Sequence, residues 1–107
     1  MAQKRVVVGT TPVLIAQENS RRKSIIITMI PTSVETGNTG RVHIGKGFPP
    51  SANLGDPNQG DILTQGVQII DSESYSGDPS VFKGQWWATA SISNQIIIVD
   101  ETLANNL

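Results

Sequence analysis

The sequence contains no cysteine, so disulfides, thiolate nucleophiles and Cys-ligated zinc or iron–sulfur centres are all excluded, while the redox compartment stays open. Charge is sparse as well, at 16% of residues with a formal net charge of −1. Such a chain has no bulk field to draw in nucleic acid or an anionic membrane surface. No apolar run approaches the roughly 18 residues of a membrane span, and the opening MAQKRVVVGTTPVLIAQENS lacks the long apolar region of a signal peptide. A soluble chain that binds neither membrane nor nucleic acid is expected. Leucine is scarce too, with 5 residues against 13 Ile, 9 Val and 9 Thr. Those β-branched side chains lose rotamer freedom in a helix and suit a pleated sheet, which argues against an all-helical fold.

What is present reads as one all-β domain over residues 1–107. A chain of this size buries roughly 60 to 70% of its unfolded surface, enough for a small core. Five apolar segments bounded by Gly, Pro, Asn, Asp or Ser read as strands: residues 5–8, 13–16, 24–30, 42–44 and 96–99. Two weaker ones, 67–75 and 85–92, bring the expectation to about seven strands in a β-sandwich or jelly-roll-like barrel. The tail from Asp100 is too short for an independent helix and is expected to be extended or frayed, with residues 102–107 outside the sheet.

Between Gly45 and Asp61 runs GKGFPPSANLGDPNQGD, long and without period. A compact domain uses such a loop for docking or as a crossover between sheets. Within it Phe48, Pro49, Pro50 and Leu54 are the candidate contact residues. A second polar loop, 76–80, reads as an ordinary turn. Charge divides along the chain: residues 1–46 carry seven of the eight basic groups and two acids, for +5, and the remainder carries −6. Either the halves occupy separate faces and copies attract head to tail, or early and late strands interleave and neutralise one another.

Signs of chemistry are few. His43, the only histidine, lies between Val42 and Ile44 on the opposite face of a short strand, with no nucleophile beside it in sequence. Asp56 and Asp61 bracket a polar loop but fail the EF-hand spacing, so a turn is preferred to a calcium site. Gly45-Lys46-Gly47 leads into Phe48-Pro49-Pro50, which cannot start a helix to hold a phosphate. No enzyme, metal or cofactor is expected. Arg21-Arg22-Lys23 forms a basic cluster ahead of a strong strand, and Arg21 and Arg22 are candidate contacts for an acidic partner.

Strand alternation places Trp86 with Ala88, Ala90 and Ile92 in the core. Trp87 then stands on the opposite, polar face, either as an interface anchor or beneath a loop. The strand SIIITMI is apolar on both faces, Ile26 and Ile30 on one and Ile25, Ile27 and Met29 on the other. Ile96 and Ile98 oppose Ile97 and Val99 in the same way. A two-layer sandwich hides only one face of each strand, so the second must be covered by a loop, a terminus or another subunit.

The order of motifs, VVVGTTPVLIA, then Asn19-Ser20-Arg21-Arg22 leading into SIIITMI, then VHIG, Gly84-Gln85-Trp86-Trp87-Ala88 and a closing IIIVDE, resembles the small all-β virion proteins of tailed bacteriophages. Departures are the long middle loop with Phe48-Pro49-Pro50, and Pro31-Thr32-Ser33 where an Asn-rich turn is usual. The resemblance implies a non-enzymatic capsid decoration or cement protein on the virion exterior, a homo-oligomer with a trimer favoured, whose partner is the major capsid protein. A head–tail, tail or fibre accessory protein is the neighbouring alternative. A carbohydrate-binding β-sandwich using Trp87 or Tyr75 as stacking platform, with Asp56 and Asp61 as polar ligands, belongs to another class, as does a hydrolase built on His43.

Overall fold

A computed structural model describes residues 2–30, 38–72 and 81–104. Eight strands run β1 (Ala2–Val8), β2 (Val13–Ala16), β3 (Arg22–Met29), β4 (Val42–Lys46), β5 (Asp61–Leu63), β6 (Gln68–Ser72), β7 (Trp86–Ala90) and β8 (Gln95–Leu103). They form two four-stranded antiparallel sheets, β1-β8-β3-β6 and β2-β7-β4-β5, packed as a β-sandwich with no helix among the described residues. The pairs β1–β8, β2–β7, β3–β6 and β4–β5 match each strand with its mirror in chain order. The chain is therefore one long hairpin folded over and rolled up, the rolling bringing β8 against β3 and β7 against β4. That is the jelly-roll arrangement of two Greek keys.

The fold corrects the sequence reading in several places. The strand Asp61–Leu63 was not expected, because three residues carrying one charge and one buried side chain, Leu63, have too little pattern to detect. The strand expected over 85–92 stops at Ala90, and Ile92, assigned to the core, is 47% exposed. The chain turns there to cross between sheets, and Asn94 takes the left-handed conformation (φ 63°) that Asn tolerates better than most residues. At the C-terminal end β8 runs on through Thr102 and Leu103, paired with Ser24 and Arg22, so the tail expected from residue 102 belongs to the first sheet that far. Ala104 is held as well, its N–H bonded to the Arg21 carbonyl at 2.6 Å. The 76–80 loop, Tyr75 and Pro31-Thr32-Ser33 lie outside the described residues.

The core sits where the alternation placed it. Val8, Ile25, Ile27, Met29, Ile97 and Val99 face inward from the first sheet, and Ile15, Val42, Ile44, Leu63, Trp86, Ala88 and Ala90 from the second. Each buried Ile or Val contributes about 1.5–3 kcal/mol of transfer free energy. Phe82 packs edge-on against Trp86, with ring centroids 5.9 Å apart and planes at 79°. Lys46 Nζ lies 5.5 Å from the Trp86 ring and 3.8 Å from Asp71.

The folded-hairpin topology also settles the divided charge. In both sheets a strand from residues 1–46 alternates with one from the later, acidic stretch. The halves interleave, and the two ion pairs among the described residues, Arg22–Glu101 and Lys46–Asp71, both join an early residue to a late one.

Candidate functional site

Two outer faces and one loop are the surfaces on which a partner-binding function can be built. Only β4 and β5 follow one another within a sheet, so their connection, residues 47–60, is the tip of the folded hairpin. It turns back over the outer face of the second sheet. Gly45 makes this possible: a Cβ there would fall on the Phe48 carbonyl oxygen and 2.9 Å from Pro50 Cδ. The loop is knitted internally, Ser51 N–H to the Asn58 carbonyl at 2.8 Å, Gly55 N–H to Gln59 Oε1 at 2.8 Å and Asn58 N–H to Asp56 Oδ1 at 2.9 Å. Asp56 thus closes an Asx turn. Among the described residues no group of three or more His, Asp or Glu is placed to hold a metal ion.

Beneath this loop lie the polar side chains of the second sheet's outer face. Thr89 is buried and its hydroxyl donates to the Pro50 carbonyl at 2.8 Å. His43, paired with Thr89, is completely buried, with Nδ1 2.9 Å from the Gln59 carbonyl and Nε2 accepting from Arg41 Nε at 3.2 Å. A carbonyl only accepts and a guanidinium only donates, so this pair of contacts is met by the tautomer that carries its proton on Nδ1. His43 fastens the loop to the sheet. The expected core-and-exterior split of the tryptophans holds: Trp86 is fully buried, and Trp87 is half-buried on the outer face opposite Gly45, at the margin of the loop.

Of the loop's candidate contacts, Leu54 (60% exposed) and Pro49 are at the surface and Phe48 is half-buried. Pro50 is buried against the sheet and belongs to the loop's anchorage rather than to a contact surface. Beside it a cleft of about 530 Å³ opens between the loop and Thr10–Pro12, lined by Arg41, Ser51, Asn53 and Ser91.

Arg22 requires the clearest correction. It was expected in an exposed basic cluster, yet its side chain is 0% exposed. Nε donates to Glu101 Oε2 at 2.6 Å, Nη1 to the Phe82 and Gly84 carbonyls at 2.9 Å each, and Nη2 to the Gln17 carbonyl at 2.6 Å. Strict alternation would put Arg22 outside with Ser24 and Ile26, but the register shifts between Arg22 and Ser24 and turns it inward. The Asn19 turn feeds it there: Asn19 Oδ1 takes the Arg21 N–H and the Asn19 carbonyl takes the Arg22 N–H. Arg21 is exposed, with Nη2 on the Ala104 carbonyl at 2.7 Å.

The outer face of the first sheet is the opposite case. Pairing places Val7, Ile96, Ile98, Ile26 and Ile70 on it side by side across all four strands. Val7 is 59% and Ile70 62% exposed, while Ile26, Ile96 and Ile98 are half-buried. The doubly apolar segments 24–30 and 96–99 signalled this face; Val7, between Val6 and Val8, and Ile70, after Ile69, were missed because runs of two or three apolar residues do not say which one faces outward. Asp100 shares the face, and its Oδ1 is buried without a hydrogen-bond partner. Compared with known proteins, the chain matches no protein family, no curated protein and no solved structure.

Proposed function

We propose that this chain is a non-enzymatic structural protein of a tailed bacteriophage virion, a capsid decoration protein that binds the major capsid protein on the shell exterior and stabilises it as a homo-oligomer. The observation that carries this reading is the apolar stripe Val7, Ile96, Ile98, Ile26 and Ile70 across the four strands of the first sheet's outer face, with Val7 and Ile70 about 60% exposed and uncovered by any described residue. The largest contiguous apolar patch on a typical monomer, a few hundred Å², is often a functional surface. The motif order of the sequence supports the virion setting, and jelly rolls serve in viral capsids as well as in lectins. A cement protein works by area and multiplicity: each copy bridges neighbouring capsomers, and many modest contacts sum through avidity. A rigid loop presenting Leu54 and Pro49, and a flat apolar sheet, supply such area.

Co-sedimentation of the purified protein with empty shells tests the reading. Saturable binding at hundreds of copies per particle, together with a raised shell disruption temperature, supports it. A dozen or fewer copies would assign the chain to the tail or head–tail junction, and no association with particles would overturn the virion reading. A second reading rests on the cleft beside Ser51: hydroxyl and amide groups with one guanidinium suit a sugar, although Trp87 is not among its lining residues. Glycan-array binding lost on Asn53→Ala would favour it.

A further inference from the structure

Arg41, the residue just ahead of β4, is a half-buried cation that no carboxylate meets: neither of the two ion pairs among the described residues includes it. Its guanidinium is nonetheless held in place. Nε donates to Nε2 of the buried His43 at 3.2 Å, and Nη2 to the Ala52 carbonyl at 3.2 Å. The backbone is pinned as well, its N–H donating to Ser91 Oγ at 2.9 Å and its carbonyl accepting from the Ser91 N–H at 2.9 Å. Nη1 makes no hydrogen bond within the described residues. A guanidinium held by an imidazole nitrogen and a carbonyl keeps its full positive charge, and a cation drawn partly out of water is stabilised by an anion.

This guanidinium lines the cleft of about 530 Å³ beside the 47–60 loop, and neither Asp nor Glu is among the cleft's lining residues. The other polar groups there are chiefly donors. Ser91 Oγ already accepts the Arg41 N–H, and Ser51 Oγ the Asn53 N–H at 3.2 Å, so each hydroxyl proton is left to point onward. The Asn53 side chain adds an amide with no hydrogen-bond partner among the described residues. A neutral sugar brings hydroxyl donors and needs acceptors, whereas donors grouped around a cation suit a ligand that brings negatively charged oxygen. The cleft is larger than a simple ion requires and falls in the range of about 300–1,000 Å³ that takes a small organic ligand. Pro12 and Ala52 give it apolar patches against which the C–H face of a sugar ring can rest.

We infer that the cleft binds an acidic sugar, a uronic acid whose carboxylate takes the Arg41 guanidinium while its ring oxygens accept from Ser51, Asn53 and Ser91. A hydrogen bond to an ionised group is roughly twice as strong as a neutral one, so the carboxylate sets the affinity. The inference rests on the sugar reading of the cleft, narrows it to anionic sugars, and is independent of the virion reading.

Titration of the full chain with glucuronic acid, followed by the magnetic resonance shifts of its backbone amides, tests it. Saturable shifts centred on Arg41, Ser51, Asn53 and Ser91 are expected, with an affinity that falls as salt rises. Glucose and the methyl ester of glucuronic acid, which keep the ring but lack the charge, should bind about tenfold or more weakly. Arg41→Gln should remove the preference for the acid, and Arg41→Lys, which keeps the charge without the fork, should retain part of it. If Arg41→Gln impairs folding by circular dichroism, the ratio of acid to ester binding on the wild type decides the matter alone. Equal binding of acid, ester and glucose would overturn the inference and leave the sugar reading standing, whereas binding of no sugar at all would overturn both. Acetate or phosphate binding as tightly as glucuronic acid would also overturn it, since the site would then take any anion. So would a preference for the acid that a folded Arg41→Gln variant leaves unchanged.

Discussion

The two sheets of this sandwich differ on their outer sides. Over the second sheet the chain lays its own 47–60 loop, and the polar groups beneath it, Thr89 and His43, are each answered by a carbonyl of that loop. Over the first sheet no described residue plays that part: Val7, Ile96, Ile98, Ile26 and Ile70 form an apolar stripe among Arg5, Thr28 and Gln68, and the buried carboxylate oxygen of Asp100 has no partner. The lesson is about who covers a face. A face the chain covers for itself can be polar, because donors and acceptors evolve together within one sequence. The apolar stripe, with an unanswered polar atom beside it, has no such counterpart among the described residues. Trp86 Nε1, buried without an acceptor in the core, is the exception among the described residues.

Breaking a group that the chain answers fully should have the largest effect. Arg22→Ala strands Glu101 and leaves the Phe82, Gly84 and Gln17 carbonyls without their buried donor; a loss of about 3–5 kcal/mol is expected, a large part of the 5–15 kcal/mol typical of a domain. A urea denaturation midpoint measures it, and Arg22→Lys, which keeps the charge but not the planar fork, should recover only part. A loss below about 1 kcal/mol would show that the network contributes little. Next in size, Thr89→Val removes the donor to the Pro50 carbonyl at unchanged shape and should cost about 1–3 kcal/mol. Hydrogen exchange should report the loop loosening at Ser51 and Gln59 before the sheet opens; uniform protection across both would contradict the idea that the loop is fastened from below.

The bare face should behave oppositely. Ile70→Ser exchanges an exposed apolar side chain for a polar one and should change the protein's stability by no more than about 0.5 kcal/mol while reducing association with shells. A large destabilisation would mean that the face is structural after all. The smallest effect is expected at the loop tip. Leu54→Ser should leave the unfolding curve superimposable on that of the wild type, and any fall in shell binding then reads directly on contact through the loop.

Much of this was legible in the sequence, and what was not has identifiable physical causes. Alternation along residues 24–30 and 96–99 specified both the core face and the bare face, because a period of two survives wherever one side is buried. Arg22 was misplaced because a register shift breaks that period at one point, and a bulge leaves no mark in residue type. Asp61–Leu63 is a strand by virtue of its neighbour β4 rather than its own propensity. His43 could be assigned to the face opposite Val42 and Ile44, but not to the underside of a loop, since its partner carbonyl lies 16 residues away. Asp100 looked like the start of a tail because a carboxylate on an apolar strand face is depleted for good reason, and it nonetheless continues β8.

The position of β8 bears on how the molecule is made. It is the last strand in the sequence yet lies in the interior of the first sheet, paired on one side with β1 and on the other with β3. During synthesis β1 and β3 must therefore wait without their shared neighbour until residues 95–103 have emerged. Over that interval both present open hydrogen-bonding edges to any other nascent chain nearby. Lys4 and Arg5 on β1 and Lys23 on β3 place charge along those waiting strands, the device by which edges are kept from pairing prematurely. Closing Ala2 against Glu101 joins points about a hundred residues apart, so the first sheet is also the one whose assembly costs the most loop entropy, and the surface it finally offers exists only once residues 95–103 have been made.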